Sequence, residues 1–351
     1  MPMLARTIAT PVAVDVRRGA VAGLAGLLSD GRISSGGDVA VAVGGGLGER
    51  LAAVLAEALP AATVLPVGEA TVEEGQRLVG RLREGTFDAL VGIGGGQTLD
   101  VAKYAASFAG LPFVAVATNL SHDGLASPVS SLSSGGRKAS FGVHVPLGVF
   151  VDLDLVREAH PRQIRSGIGD VVSNLSAIAD WELAARVTGD DVDGLAVLLA
   201  RNAAESLLGC EQPLTSDTFL VTLAEGLIAS GLAMIVAGSS RPCSGACHEI
   251  SHALDLFHGA PAGHGEQVAV GALFASWLRD DPRLPEVDAC LRRYDVPRLP
   301  RDLGIDVDTF ADAVVRAPET RPGRFTVLEH LDLDADETRE KVHAFVAALD
   351  H

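Results

Sequence analysis

At 351 residues the chain exceeds what one core comfortably encloses and fits two domains. A formal net charge of −17 makes nucleic acid and anionic membrane surfaces poor partners, and the apolar runs are too often broken by Gly, Ser or charge to indicate a membrane span. Cys210, Cys243, Cys247 and Cys290 form no CxxC pair, and with no apolar leader at Met1–Val14 they are expected to be reduced thiols of a cytoplasmic protein.

In chain order, Asp38–Val43 reads as a strand running into Gly44-Gly45-Gly46, and Leu47–Ala58 as a helix with Leu51, Val54 and Leu55 on one face. Ala62–Val67 is the next strand. Thr71–Arg83 is a helix opened by Thr71 with Glu74 at capping-box spacing. Asp88–Ile93 is a strand entering Gly94-Gly95-Gly96, followed by a helix over Leu99–Ala109. Pro112–Ala117, ending at Thr118, and Leu147–Asp152 complete the strands. Such alternation predicts a parallel sheet with helices on both faces and ligands beyond the carboxyl ends of its strands. After Pro161 helical stretches dominate: Asp170–Val187, Asp191–Leu208, Thr215–Val236, Ser244–Leu256 and Gly265–Leu278. The expected organisation is an α/β dinucleotide-binding domain over 1–160 and an all-α domain over 161–351, with the site in the crevice between them.

Gly94-Gly95-Gly96-Gln97-Thr98-Leu99-Asp100 follows a strand and opens a helix. Glycines there let the backbone approach a diphosphate, and the helix amino end adds free N–H groups and partial positive charge. A tight turn without a ligand is the competing reading, and for Gly44-Gly45-Gly46 it is the preferred one. The spacing is not G-x-G-x-x-G, so a standard Rossmann assignment does not follow.

Four of the ten histidines fall between His248 and His264. His248 and His252 are i and i+4 and share a helix face, while His264 sits where the next helix begins. Two imidazoles on facing helices plus a carboxylate suit zinc or a similar divalent ion, with iron and nickel as alternatives. Asp170, read as opening a helix in Gly167-Ile168-Gly169-Asp170, is the candidate carboxylate. A lone histidine on an Ala/Leu helix is usually structural; three together beside a Gly-rich break are not. His258 reads as a helix C-terminal residue, and a Cys243/Cys247 zinc knot lacks a second cysteine pair. Thr118–Ser127 is a polar post-strand segment that either lines a site or satisfies its own backbone as a turn.

Together these features resemble the glycerol-1-phosphate dehydrogenase family, in the group of glycerol dehydrogenase, the iron-type alcohol dehydrogenases and dehydroquinate synthase. The resemblance rests on Gly94–Lys103, on Thr118-x-x-Ser121-His122-Asp123-Gly124-x-x-Ser127 and on Gly169–Asn174. It continues through Ser244-Gly245-x-x-His248-x-x-x-His252, His264–Gln267 and Arg324–Leu328. It implies a dehydroquinate synthase-like architecture and an NAD- or NADP-dependent, metal-dependent dehydrogenase. The substrate pair it implies is sn-glycerol 1-phosphate and dihydroxyacetone phosphate, or a related small polyol phosphate and its ketone. It implies Asp170, His248 and His264 as metal ligands. Gly96, Gln97, Thr98, Leu99, Asp100, Thr118, Ser121 and Ser127 would contact the dinucleotide, with Gly94 and Gly95 forming its turn. Asp123, Asp170 and His252 would contact substrate, Asp123 and His252 in catalytic roles, with His252 placed to relay a proton. A homodimer or larger homo-oligomer is expected from the family.

The chain departs from the family pattern at Ala246-Cys247, where Ser-Glu is expected before His248, and at Gln97. Two other readings use the same residues: a sugar phosphate cyclase of the dehydroquinate synthase type, and a non-catalytic metal- and nucleotide-binding protein. A cyclase needs several basic groups around its substrate, and lysine is confined to Lys103, Lys138 and Lys341. A purely structural zinc is usually closed by four protein ligands. For the dehydrogenase, Lys138 or an arginine is a candidate partner of the phosphate, and Glu69 a candidate acceptor from the adenosine ribose.

Overall fold

The computed structural model describes residues 8–45, 57, 59–135 and 137–350. The chain forms two compact units: Met1–Leu120 with Gly124–Ala159, and Ser121–Asp123 with His160–His351.

The strands of the first unit are β1 (Ala13–Arg17), β2 (Asp38–Gly44), β3 (Thr63–Val67), β4 (Phe87–Gly94), β5 (Phe113–Ala117), β6 (Val129–Ser134), β7 (Arg137–Gly142) and β8 (Gly148–Asp152). Six of them form a sheet in the order β1-β8-β5-β4-β2-β3, and β6 and β7 pair separately. Every pairing in the large sheet is parallel. β5 and β8 are buried along their whole length, as strands covered on both faces must be. From β2 the chain steps outward to β3, returns to β4 on the other side of β2, and continues to β5. The strand order therefore reverses between β2 and β4, and both glycine runs begin at the carboxyl ends of these two strands. A reversal of this kind is where α/β sheets take up ligands.

All five expected strands are present. β1 was not expected: it is a five-residue edge strand whose Asp15 and Arg17 break the apolar pattern. The β6–β7 hairpin was also missed, because its serines carry no strand signal. Thr71 caps the helix Val72–Glu84 by accepting from the Glu74 N–H at 3.1 Å. The reciprocal half of the expected capping box is absent, since the Glu74 carboxylate accepts from the Gly68 N–H at 2.6 Å and pairs with Arg77. The helix Gly96–Ala109 begins three residues earlier than expected, within the glycine run. The helix expected over Leu47–Ala58 lies, except for Glu57, outside the described residues, as does Gly46.

The second unit is helical throughout its described elements. The single helix expected over Asp170–Val187 is two, Pro161–Val172 and Asn174–Thr188. Ser173 makes the break, its hydroxyl donating to the Asp170 carbonyl at 2.7 Å, so the backbone turns there. Asp170 consequently lies in the last turn of the first helix and does not open one. The helix Asp217–Ala237 is long and apolar enough to cross a membrane by length and composition, with mean hydropathy 2.0, a feature the broken-run reading overlooked. Within the unit, 61% of that window is buried, as expected of a core helix.

Candidate functional site

Two glycines set the geometry of the cluster formed by Asp170, His248 and His264. A Cβ on Gly169 would lie 2.2 Å from the Gly265 carbonyl oxygen, and one on Gly265 would lie 1.9 Å from the Ser166 carbonyl oxygen. The helices Pro161–Val172 and His264–Leu278 therefore cross in backbone contact. Polar bonds fix the crossing. The Gly265 N–H donates to the Ser166 hydroxyl at 3.1 Å, and that hydroxyl donates to the Ser121 carbonyl at 2.9 Å. Arg162 pairs with Glu266 at 2.7 Å, and Glu266 also accepts from the Gly263 N–H at 2.8 Å. Asp170, in the last turn of one helix, is thereby brought beside His264, the first residue of the other.

His248 joins them from the helix Ala246–Phe257. Asp170 Oδ1 lies 3.7 Å from His248 Nε2 and 3.9 Å from His264 Nε2, and one ligand atom from each residue lies within 4.8 Å of the others. Asp170 Oδ2 accepts the Asp123 backbone N–H at 2.9 Å, which fixes the carboxylate's orientation. Each imidazole is held from behind. His264 Nδ1 lies 3.2 Å from the Ser251 hydroxyl, which donates its own proton to Gln267 Oε1 at 3.0 Å. The Ser251 lone pairs thus face His264 and select its Nδ1–H tautomer, leaving the Nε2 lone pair for a cation. His248 Nδ1 lies 3.4 Å from Cys247 Sγ, where the family pattern would place a glutamate.

The electrostatics match. Burial raises the Asp170 carboxyl, but contact with His248 and the charges of His264, His248 and His122 hold it below the usual range. Burial pulls the His248 imidazole down, but Cys247 and Asp170 outweigh it and hold it up at about 9. His252 stands beside both other rings, with centroids 6.3 Å from His248 and 6.2 Å from His264.

The structure thus brings together Asp123, Asp170, His248, His252 and His264, all in the second unit. Ser121, expected near the dinucleotide, belongs to this unit as well. His122, Cys247, Ser251 and Gln267 also shape the site. Sequence reasoning assigned none of the four a place beside the histidines: His122 and Gln267 stood inside quoted motifs, which were the signal available, Cys247 was weighed only for a zinc knot and as a departure from the family pattern, and Ser251 carried no signal.

The other expected residues gather in the first unit at the ends of β4 and β5. Gly94 ends β4, Gly95 caps the helix without a side-chain bond, and Gly96 and Gln97 form its first turn. Thr98 wedges between the two glycine runs: its Oγ1 would lie 2.3 Å from a Cβ on Gly44, and its Cβ 2.6 Å from one on Gly94. Side-chain packing therefore requires Gly44 and Gly94 with or without a ligand. Leu99 and Asp100 are turned inward. Leu99 is buried with its N–H bonded to the Gly95 carbonyl, and Asp100 lies 3.6 Å from the buried Lys103 ammonium. Lys103 donates to the Gly124 and Ser127 carbonyls at 2.6 and 3.1 Å. A buried cation thereby anchors the post-β5 segment, a role the sequence reading did not foresee. The Thr118 N–H donates to the Gly94 carbonyl at 3.0 Å, and Ser127 is buried beneath.

His258 caps the helix C-terminus and pairs with Asp312 at 3.0 Å. Cys243 donates to the Ser230 carbonyl at 3.3 Å, and among the described residues the only cluster able to hold a metal is Asp170, His248 and His264. Lys138 is exposed on β7, and Glu69 is exposed just beyond the edge strand β3.

Residues 15–160 match a family model described as iron-containing alcohol dehydrogenase. The chain is 36% identical over 269 residues to a glycerol-1-phosphate dehydrogenase (NAD(P)+) of Archaeoglobus fulgidus, covering 75% of this chain and 77% of that protein. It is 35% identical over 280 residues to the enzyme of the same name from Pyrococcus furiosus, covering 79% and 81%. The crystal structure of a probable glycerol dehydrogenase from Sinorhizobium meliloti superposes with a TM-score of 0.78 at 24% identity over 99% of each chain, a likeness of fold.

Proposed function

The chain belongs to the glycerol-1-phosphate dehydrogenase family of the iron-containing alcohol dehydrogenase group, and on that premise we propose that it interconverts sn-glycerol 1-phosphate and dihydroxyacetone phosphate with NAD or NADP and one divalent metal ion. The observation that carries this reading is the convergence of two imidazole nitrogens and one oriented carboxylate oxygen.

That donor set fits a borderline cation such as zinc, ferrous iron or nickel. Asp170, His248 and His264 would hold it, and three protein ligands in place of four keep a position open for substrate. When bound, the ion would supply Lewis acidity toward the reacting oxygen, and the nicotinamide would supply or accept the hydride. The chain's own part is positional. Asp123 fixes the Asp170 carboxylate through its backbone N–H, and its side chain would contact substrate. His252, one turn beyond His248, accepts or returns the hydroxyl proton. In the first unit, the free N–H groups at Gly95, Gly96 and Gln97 and the nearby Thr118 would hold the diphosphate at the sheet's switch point.

The reading extends to a dinucleotide domain over 1–160 and a metal and substrate domain over 161–351, and to a homodimer or larger homo-oligomer. Val14 and Val64, about half exposed on the edge strands β1 and β3, support assembly. The four free cysteines suit a reducing compartment, and cytoplasmic residence is part of the proposal.

The test is reduction of dihydroxyacetone phosphate by the metal-loaded protein with NADH and with NADPH, followed by near-ultraviolet absorbance. His264→Ala should lose bound metal and turnover while keeping its far-ultraviolet dichroism. Full turnover by that variant in metal-free buffer would refute the ligand assignment.

A further inference from the structure

The helical unit holds a cavity of about 370 Å³ that includes neither the Asp170–His248–His264 cluster nor His252 among its walls. Arg241, Arg324, Asp190 and Glu329 line it. Behind it, Ser240 draws two guanidinium groups to one hydroxyl: Arg321 donates to it at 3.1 Å and Arg324 at 2.9 Å. Arg324 also donates to the Ser244 carbonyl, just ahead of the helix that carries His248.

Of the carboxylates around these arginines, one is paired with Arg241 and the others are bonded to groups outside the cluster. Asp190 is bonded to Arg241 at 2.5 Å. Glu329 accepts from the Thr326 hydroxyl and N–H at 2.6 and 2.8 Å, and Glu249 is bonded to the same hydroxyl at 3.2 Å. Asp180 is bonded to Arg279 at 2.5 Å. Among the described residues Arg321 and Arg324, both half-buried, hydrogen-bond only to a hydroxyl and a carbonyl; the acid whose charge reaches both is Glu249, whose carboxyl burial raises to about 9, so that it carries a proton near neutral pH. Burying cations without counter-charge is costly, and an anion is the missing partner. Burial, followed by the charges of Arg321 and Arg241, outweighs Glu249 and pushes the Arg324 guanidinium down to about 10. The arrangement is the more telling in a chain of net charge −17, whose overall field repels anions. Planar guanidinium forks match the oxygen spacing of phosphate.

We propose that this cavity is a binding site for a phosphate-class oxyanion, held by Arg241 and Arg324 at its wall, with Ser240 and the Arg321 charge behind Arg324. The oxyanion has two sources: the phosphate of the substrate, which rests on the function proposed above, or free inorganic phosphate, which does not. Calorimetric titration of the metal-loaded protein with inorganic phosphate, at constant ionic strength against chloride, tests the site without requiring turnover. Wild-type protein should give saturable binding. Arg324→Gln and Arg321→Gln should each weaken it at least tenfold, with Arg324→Lys retaining part; having both positions covers the case in which one variant fails to fold. Inhibition kinetics then separate the sources. If phosphate competes with dihydroxyacetone phosphate and the Gln variants raise KM for that substrate without a matching loss on unphosphorylated dihydroxyacetone, the site holds the substrate's phosphate. Binding without competition assigns it to the free ion. Phosphate binding that persists in a protein inactive on every polyol phosphate would sink the dehydrogenase reading and leave the site standing. No saturable binding to the wild type, or equal affinity in both Gln variants, overturns the proposal.

Discussion

Gly169→Ala is the sharpest probe of how the proposed metal site is built. In the middle of an ordinary helix this change is favourable by about 0.5–1 kcal/mol, because alanine gives up less backbone freedom on folding. Here the new methyl would meet the Gly265 carbonyl oxygen at 2.2 Å and the Ala269 Cβ at 3.0 Å. Ordinary van der Waals contact begins at 3.4 Å, so the two helices must part by about 1 Å, and the obstacle is backbone that has no rotamer to escape into. Overpacking of this kind typically costs about 1–3 kcal/mol. The functional cost is separate. Asp170 rides on one helix and His264 on the other, and metal–ligand distances tolerate only about ±0.2 Å. Metal affinity, measured by chelator competition, should therefore fall at least about tenfold while the dichroism of the fold persists. Phe310→Leu, a core change against Phe274 (centroids 5.6 Å apart), supplies a destabilised control that should keep its metal. A Gly169→Ala protein that binds metal as tightly as the wild type, or that melts higher, would refute the close-crossing account.

Three further outcomes are expected. Because His248 is held up at about 9 and Asp170 is already ionised, a cation must displace one proton from the metal-free site below that pH. Apparent metal affinity should rise about tenfold per pH unit between about pH 6 and 8, and a flat profile in competition titrations would contradict the assignment. Lys103→Met removes the donor to the Gly124 and Ser127 carbonyls and the buried cation beside Asp100, a loss of about 3–5 kcal/mol, so thermal melting should fall sharply. Burial, then Glu329 and Asp180, raise the Glu249 carboxyl from 4.5 to about 9. The native state therefore holds a proton that the unfolded chain loses from about pH 4.5 upward, and this group's contribution to stability declines as pH rises toward about 9. Glu249→Gln should flatten that decline between about pH 5 and 8, and parallel melting curves for both proteins would show the group to be uninvolved.

The fold was legible where burial is uniform. β5 and β8 are short apolar runs bounded by turns, a pattern that a buried parallel strand must show. β1, β6 and β7 were not legible, since an edge strand carrying Asp15 and Arg17 and a serine-rich hairpin satisfy no periodic rule. For the site, i,i+4 spacing announced His248 and His252, because helix geometry alone makes them neighbours. His264 and Asp170 became neighbours through a helix crossing that depends on two missing side chains, at Gly169 and Gly265. Nothing local marks such a glycine as a contact, and for that reason Asp170 was expected at a helix start when it lies in a last turn. The same limit applied to Ser251 and Gln267, whose effect on His264 passes through a proton position that only the folded network determines. It applied with more force to Arg321, which no motif marked, and to Arg324, which stood in the Arg324–Leu328 motif without a role. Their shared dependence on Ser240, some eighty residues away, is visible only once the helices are assembled. Spacing therefore reports chemistry placed on one element, whereas chemistry assembled from several elements is recorded in what each of them leaves unfilled: a hydrogen where a methyl would clash, or a guanidinium without a carboxylate.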